Sequence, residues 1–156
     1  MSLEIERKFL VKNNDFKKEA YQKKELKQGY LNSDKNRTVR IRIADDKAFM
    51  TIKGKSNKSG TTRFEWEKEI DKKEAENLLL LCENSIVEKI RYYIKCDKHI
   101  FEVDEFFGDN KGLIVAEIEL NNEKEVYQKP TWLSKEVTGN VNYYNSSISK
   151  NPYKNW

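Results

Sequence analysis

Apolar and polar residues alternate along most of the chain, and this period of two is typical of β-strands that bury one face. In residues 3–12, Leu3 and Ile5 fall on one side, whereas Glu4 and Glu6 fall on the other. The same alternation predicts seven further strands, at 25–32, 37–44, 47–55, 62–70, 85–97, 99–107 and 113–121. Short polar turns between several of these segments indicate antiparallel hairpins.

Helical patterns are few. Asn13-Asn14-Asp15 offers N-caps for a helix over 15–24, and Asp71 caps a second helix over 72–83. We expect one or two short helices after Thr131. Runs of strands interrupted by few helices predict an α+β fold or a barrel rather than a parallel βαβ sheet. At 156 residues, the chain has the length of one domain, 1–156.

Composition narrows the function classes. The 30 basic and 26 acidic residues nearly balance, so bulk charge does not point to nucleic acid. No apolar run approaches a membrane span, and the N-terminus lacks a secretory signal. Cys82 and Cys96 form no CxxC pair and His99 is the one histidine, which excludes the common zinc motifs and favours the cytosol. Glycine-rich phosphate loops are absent, so side chains would have to bind any phosphate.

Six of the predicted strands carry two charges of the same sign, two positions apart and therefore on one face. They are Glu4/Glu6, Arg40/Arg42, Glu65/Glu67, Lys89/Arg91, Glu102/Asp104 and Glu117/Glu119. Such doublets arise by chance in a chain that is 36% charged, so the signal is that the opposite faces are mostly apolar. Alternation alone leaves open a solvated sheet face, which is the default, or a charged interior. A charged interior would suit a polyanion held by basic doublets and a divalent metal held by acidic ones.

The doublets belong to a longer series of motifs in a fixed order. Glu4-Ile5-Glu6-Arg7-Lys8 forms an ExExK motif. It is followed by Gln28-Gly29-Tyr30-Leu31, Val39-Arg40-Ile41-Arg42, Thr51-Ile52-Lys53, Arg63 to Glu67, Lys89-Ile90-Arg91-Tyr92, Phe101-Glu102-Val103-Asp104, Ala116-Glu117-Ile118-Glu119 and Glu136-Val137-Thr138 with Tyr143 and Asn145. Over nearly the whole chain, this series resembles the CYTH superfamily, the triphosphate tunnel metalloenzymes.

The resemblance implies an eight-stranded antiparallel tunnel with charged residues inside, and hydrolysis or rearrangement of a triphosphate with one or two Mg²⁺ or Mn²⁺ ions. By the family's motifs, the metal ligands would be Glu4, Glu6, Glu102, Asp104, Glu117 and Glu119. The phosphate-binding residues would be Lys8, Arg40, Arg42, Lys53, Lys89 and Arg91. Glu65 and Glu67 would organise a second metal or the attacking water.

Small bacterial members of the family are often inorganic triphosphatases, so we expect hydrolysis of tripolyphosphate. Adenylate cyclase, thiamine triphosphatase and RNA 5′-triphosphatase are alternatives on the same fold, as is a non-catalytic module that binds polyphosphate or nucleotide. One departure concerns the tail. Asn140 and Asn142 stand where the family commonly has an acid and a base before the C-terminal Tyr, which puts tail contacts with the substrate in doubt.

The outer apolar faces of such a tunnel need a cover. The predicted helices could supply part of it and a homodimer could supply more, and the sequence does not decide between them. We expect Trp66, on one of these faces, to be a core residue.

Overall fold

The computed structural model describes residues 3–156, and its centre is an antiparallel sheet of nine strands. These are β1 Leu3–Val11, β2 Gln22–Asn32, β3 Arg37–Ala44, β4 Lys47–Gly54, β5 Thr62–Ile70, β6 Glu83–Cys96, β7 His99–Phe106, β8 Ile114–Glu119 and β9 Leu133–Glu136. Their order is β5-β4-β3-β2-β6-β7-β8-β1-β9, and β1 also pairs with β5. That pairing closes strands β1 to β8 into a barrel, which confirms the predicted α+β class and the eight-stranded antiparallel tunnel.

Strand β1 closes the barrel because it pairs with strands on both sides. Its first residues pair with β5, with Leu3 opposite Phe64. Its middle pairs with β8, where Lys8 is opposite Glu117, and its end pairs with the short strand β9. Since side chains alternate across a strand, one face of β1 points into the barrel and the other points outward.

Two short helices pack outside the barrel, α1 Phe16–Glu19 and α2 Lys72–Leu79, whereas a third, α3 Asn145–Lys150, packs into one end of it. The predicted cap of α2 is confirmed, because the Asp71 carboxylate accepts hydrogen bonds from the backbone N–H groups of Lys73 and Glu74. Within residues 3–156, none of the helices is both long and apolar enough to cross a membrane.

Most of the hydrophobic core lies between the barrel wall and its outer segments. Beside α1, Trp132 packs edge-to-face on Phe16 and Phe101, with ring centroids 5.9 and 5.6 Å apart. Beside α2, Leu79 packs with Ile41.

At one end of the barrel, Ile148 of α3 packs with Val87, Phe106 and Val115, which have the inward strand phase. Apolar residues therefore fill that end, and the rest of the barrel interior is available for charged side chains.

Two predicted helices are shorter than expected and one strand was not predicted. The helix over 15–24 ends at Glu19, because β2 already begins at Gln22 to pair with Tyr93 of β6. The helix over 72–83 ends at Leu79, since β6 begins at Glu83. Strand β9 lies in the tail, where only helices were predicted. In each case, sheet pairing between distant segments overrides a local preference.

The prediction that Trp66 is a core residue is wrong. Its side chain is 42% exposed on the outer face of β5, beside Phe64 at 36% and Leu3 at 55%. Val39, Ile52 and Trp66 are paired in one row across β3, β4 and β5. These five residues form what we call the outer apolar patch.

Candidate active site

The barrel encloses a cavity of about 170 Å³ whose walls are almost entirely polar. Twelve of the fourteen predicted site residues line it: Glu4, Glu6, Lys8, Arg40, Arg42, Lys53, Glu65, Glu67, Arg91, Glu102, Glu117 and Glu119. The other two, Lys89 and Asp104, are buried next to the cavity without lining it. Inward alternation on neighbouring strands therefore brings both the acidic and the basic doublets to one space.

The acidic side of the cavity is formed by β1, β7 and β8. Lys53 Nζ donates to both carboxylate oxygens of Glu4, at 2.8 and 2.9 Å. Lys8 Nζ lies 3.5 Å from Glu117 Oε1 and 3.8 Å from Glu6 Oε1. Burial, together with the negative charges of Glu117 and Glu4, raises the pKa of Glu6 to about 8. The two lysines therefore do not fully compensate the carboxylates around Glu6.

These carboxylates fit a hard divalent cation. In the described part of the chain, no three Asp, Glu, His or Cys side chains are already arranged as ligands of one ion, since the nearest carboxylates are turned toward lysines. Carboxylate oxygens are nevertheless the donors that Mg²⁺ and Mn²⁺ prefer. A divalent cation would also relieve the repulsion that raises the pKa of Glu6. The residues present thus suit such an ion, provided that Lys8 and Lys53 move to other partners.

The basic side of the cavity contains two guanidinium groups with unfilled donor capacity. Arg40 Nη2 donates to Thr51 Oγ1 at 3.0 Å, but its buried Nε has no hydrogen-bond partner among residues 3–156. Arg42 Nε donates to Gln28 Oε1 at 2.8 Å. Burial and repulsion by Arg40 and Arg91 lower the pKa of Arg42 to about 9. Both arginines therefore present donors and positive charge to an anion in the cavity.

Asp104 holds the two cations beside it through both of its oxygens. Arg91 donates from Nε and Nη2 at 2.7 and 2.9 Å, and Lys89 Nζ lies 2.7 Å from Oδ2. Although burial opposes it, the charges of Arg91 and Lys89 lower the pKa of Asp104 to about 2. Burial lowers the pKa of Lys89 to about 7 despite the nearby carboxylate. Both oxygens of Asp104, which the resemblance assigns to a metal, are therefore paired with cations in this structure.

The C-terminal tail reaches the cavity through Tyr144 and Asn145. The Tyr144 ring lies 5.2 Å from Lys8 Nζ and 5.4 Å from the Arg63 guanidinium carbon. Asn145 Oδ1 accepts hydrogen bonds from Lys89 Nζ at 2.9 Å and from Gln28 Nε2 at 3.0 Å. The tail therefore reaches the site just before and within α3.

Asn140 and Asn142, which depart from the family's pattern, are exposed residues outside the cavity wall. The Asn140 side chain accepts from the Asn142 backbone N–H and caps a short 3-10 turn over 141–143. Neither asparagine is therefore placed to contact a group inside the barrel in this conformation.

Several cavity residues were assigned no role from the sequence. Thr38, Thr51 and Arg63 line the cavity because they are in phase with the inward-facing charged residues of β3, β4 and β5. Strand phase was the signal that could have identified them. Tyr30 also lines the cavity, just after an irregular register at Gly29, whereas Asn145 and Ser146 depend on how the tail folds back.

Comparisons with known proteins agree with this geometry. Residues 2–152 match the sequence profile of the CYTH domain. The inorganic triphosphatase of Acetivibrio thermocellus is 46% identical over 158 aligned positions that cover 100% of this chain and 99% of that protein. The inorganic triphosphatase of Nitrosomonas europaea is 35% identical and covers 94% of this chain and 96% of its own length.

A solved structure shares the architecture. The crystal structure of the inorganic triphosphatase NE1496 superposes with a TM-score of 0.67 at 32% identity, covering 96% of this chain and 95% of that one. The motifs lie in order along the chain, and their charged doublets line one cavity of a closed barrel. On these grounds, the chain belongs to the CYTH domain family.

Proposed function

We propose that this protein is a metal-dependent triphosphatase that hydrolyses the terminal phosphoryl group of inorganic tripolyphosphate inside the barrel. The observation that carries the proposal is the enclosed cavity in which carboxylates of β1 and β8 face arginines of β3 and β6. Two relatives that match nearly the full length of the chain are inorganic triphosphatases, which supports the same reaction.

Metal dependence accompanies membership of this family, and the carboxylates suggest where the metal binds. We assign one or two Mg²⁺ or Mn²⁺ ions to Glu4, Glu6, Glu117 and Glu119, with Glu102 at the edge of the same surface. When bound, such an ion neutralises phosphate charge and makes a coordinated water more acidic. Asp104, whose oxygens are occupied by Arg91 and Lys89, serves in this proposal as a counter-ion that fixes those cations.

The substrate phosphates would be held by the cations that the cavity already contains. Lys8 and Lys53 pair with carboxylates in this structure, so metal binding to those carboxylates would release both ammonium groups toward the phosphates. Arg40 and Arg91 supply further donors that stabilise negative charge on the transferred phosphoryl group, and Arg42 supplies donors to a phosphate of the bound substrate. Lys89 contributes through its charge and through Asp104 rather than by direct contact.

Glu65 and Glu67 are the proposed residues for organising the attacking water. Burial and the negative charge of Glu4 raise the pKa of Glu65 to about 7, which suits a group that accepts and returns a proton near neutral pH. Glu67 Oε2 accepts a hydrogen bond from Thr51 Oγ1 at 2.7 Å, and Arg40 also binds this hydroxyl. This contact orients Glu67 toward the arginine side of the cavity.

The first test is phosphate release from tripolyphosphate, pyrophosphate, ATP and thiamine triphosphate, each with Mg²⁺, Mn²⁺ or EDTA. We expect turnover of tripolyphosphate that depends on the added metal and disappears in EDTA. Release from thiamine triphosphate or ATP alone would redirect the substrate. Cyclic AMP formed from ATP would identify the adenylate cyclase alternative. Binding of polyphosphate without any turnover would identify a non-catalytic module.

We also propose that the protein forms a homodimer through the outer apolar patch. Exposed Trp66, Phe64 and Leu3 on a sheet face form a contiguous apolar surface of the kind that marks protein interfaces, and the same patch on two copies can pair around a twofold axis. Replacing Trp66 by serine is expected to convert a dimer into a monomer in light scattering after gel filtration. Leu80→Ser, which changes a residue that is 84% exposed on another element, is the matched control. A wild-type monomer at micromolar concentration would refute the dimer.

The proposed compartment is the cytosol. Cys82 and Cys96 are both free thiols, as expected of a protein kept in a reducing environment. A tagged copy in the source cell should fractionate with cytosolic markers.

A further inference from the structure

Arg42 differs from the other cations of the cavity in having no acidic partner. Arg40 Nη2 lies 3.6 Å from Glu67 Oε2, and Lys53 Nζ lies 2.8 Å from Glu4 Oε1. Arg91 Nε lies 2.7 Å from Asp104 Oδ1. For Arg42, by contrast, no carboxylate oxygen within residues 3–156 comes within the 4.0 Å ion-pair distance. A guanidinium that lines an enclosed cavity without a counter-ion is costly to bury, so its position favours an anionic ligand.

The group that holds Arg42 is a neutral amide. Gln28 on β2 is fully buried, and its Oε1 accepts the Arg42 Nε–H at 2.8 Å. At its other end, Gln28 Nε2 donates to Asn145 Oδ1 at 3.0 Å, and the same oxygen accepts from Lys89 Nζ at 2.9 Å. The tail helix and the barrel wall are therefore joined by a hydrogen-bonded chain that ends at the guanidinium.

The guanidinium at one end fixes the direction of this chain. Arg42 Nε can only donate, so Gln28 must turn its oxygen toward Arg42 and its NH₂ toward Asn145. The Asn145 oxygen then accepts from this NH₂ and from Lys89 Nζ. Each amide thus has one orientation that satisfies its neighbours, and the Arg42 Nη groups are left for the cavity.

We propose that Gln28, oriented by Asn145 and Lys89, is a positioning residue that holds Arg42 as an anchor for a phosphate group away from the metal-binding carboxylates. This inference rests on the proposed triphosphatase function. The neutrality of Gln28 is essential, because a carboxylate at this position would form an ion pair with Arg42 and compete with the substrate. Since Arg42 has no carboxylate beside it, the phosphate that it binds is not one shared with the metal, and its contribution is to binding rather than to the chemical step.

The test compares Gln28→Glu with Gln128→Glu, which introduces the same charge at an exposed site. We expect Gln28→Glu to raise the KM for tripolyphosphate about tenfold or more while kcat stays within about threefold, since a charge-assisted contact made equally in ground and transition states affects binding alone. The Kd of tripolyphosphate for the metal-free protein in EDTA, measured by calorimetry, should rise by a similar factor. The melting temperature of each variant verifies that it is folded, because Gln28→Glu gains an ion pair with Arg42 but loses the hydrogen bond to Asn145.

Gln28→Met tests the positioning role of Gln28 without adding a charge. It removes both hydrogen bonds of the amide, so we expect a smaller increase in the Kd of tripolyphosphate than for Gln28→Glu. If Gln28→Glu does not fold, the Kd of this variant is the test. A Kd within about twofold of wild type in the folded variants, or a loss of kcat at unchanged KM, would overturn the positioning role.

The wild-type measurements separate this inference from the proposed function. A wild-type protein that binds tripolyphosphate but hydrolyses none would refute the triphosphatase function. The ratio of the variant Kd to the wild-type Kd would still test the positioning role of Gln28. A wild-type protein that binds no polyphosphate would refute both.

Discussion

Replacing Glu4 by glutamine is expected to lower kcat for metal-dependent phosphate release by more than about a hundredfold, because a proposed metal ligand is lost while the shape of the side chain is kept. Glu4 is well placed for this role: its side chain is only 12% exposed, and Lys53 lowers its pKa to about 2 against the effect of burial. The carboxylate is therefore ionised and available to a cation throughout the neutral pH range. The measurement is phosphate release at saturating Mg²⁺ or Mn²⁺.

Glu105→Gln is the matched control for this experiment. Glu105 also pairs with a lysine, Lys17 at 3.1 Å, but it does not line the cavity. We expect this variant to retain wild-type kcat and KM. If Glu4→Gln turned over tripolyphosphate at the wild-type rate, neither the metal site nor the assignment of the reaction to this cavity could stand.

Asp104→Asn is expected to destabilise the fold by about 3–5 kcal/mol, the usual cost of removing one partner from a buried ion pair. Asparagine has nearly the same shape, so the loss is electrostatic: Lys89 and Arg91 are left buried without their shared counter-ion. The free energy of unfolding from urea titration at pH 7 measures the effect. Asp109→Asn is the control, since Asp109 is 51% exposed and pairs with Lys154 on the surface.

The same residue predicts how stability depends on pH. The pKa of Asp104 is lowered from 3.8 to about 2 in the folded protein, so its stabilising contribution is fully present above about pH 4. It is lost as the pH falls toward 2, where the folded carboxylate becomes protonated. The stability difference between wild type and Asp104→Asn should therefore shrink between pH 4 and 2. A difference that stayed constant over this range would contradict the counter-ion role.

Strand phase explains why so much of the site could be predicted from the sequence. On a strand, a residue and its second neighbour must share a face, so Glu4/Glu6 or Arg40/Arg42 could be assigned together once the strand was recognised. Alternation did not say whether that face was inside or outside. The resemblance predicted that it was inside, and closure of the barrel by β1 and β5 confirms this.

Tertiary contacts determine the features that the sequence did not predict. Lys89 has the inward phase of Arg91, yet Asn145 of the folded-back tail and Asp104 take up its ammonium group. Trp66 alternates like a core residue but is exposed on the outer face. The helix predicted over 15–24 ends early because β2 extends back to Gln22, where it pairs with Tyr93 of β6. Patterns along the chain contain no information about these distant partners.

The position of β1 as the closing strand also has a consequence for how the chain folds. The first residues of β1 pair with β5, but Glu6 pairs with Glu119 and Phe9 with Glu136, so these partners are separated from β1 by more than a hundred residues. Pairings of such high contact order are slow to form because a long loop must be closed before they contribute stability. During synthesis, β1 precedes the other described strands, yet its pairing with β8 is possible only once β8 has been made. The proposed metal ligands on β1 and β8 therefore meet only after synthesis has passed β8.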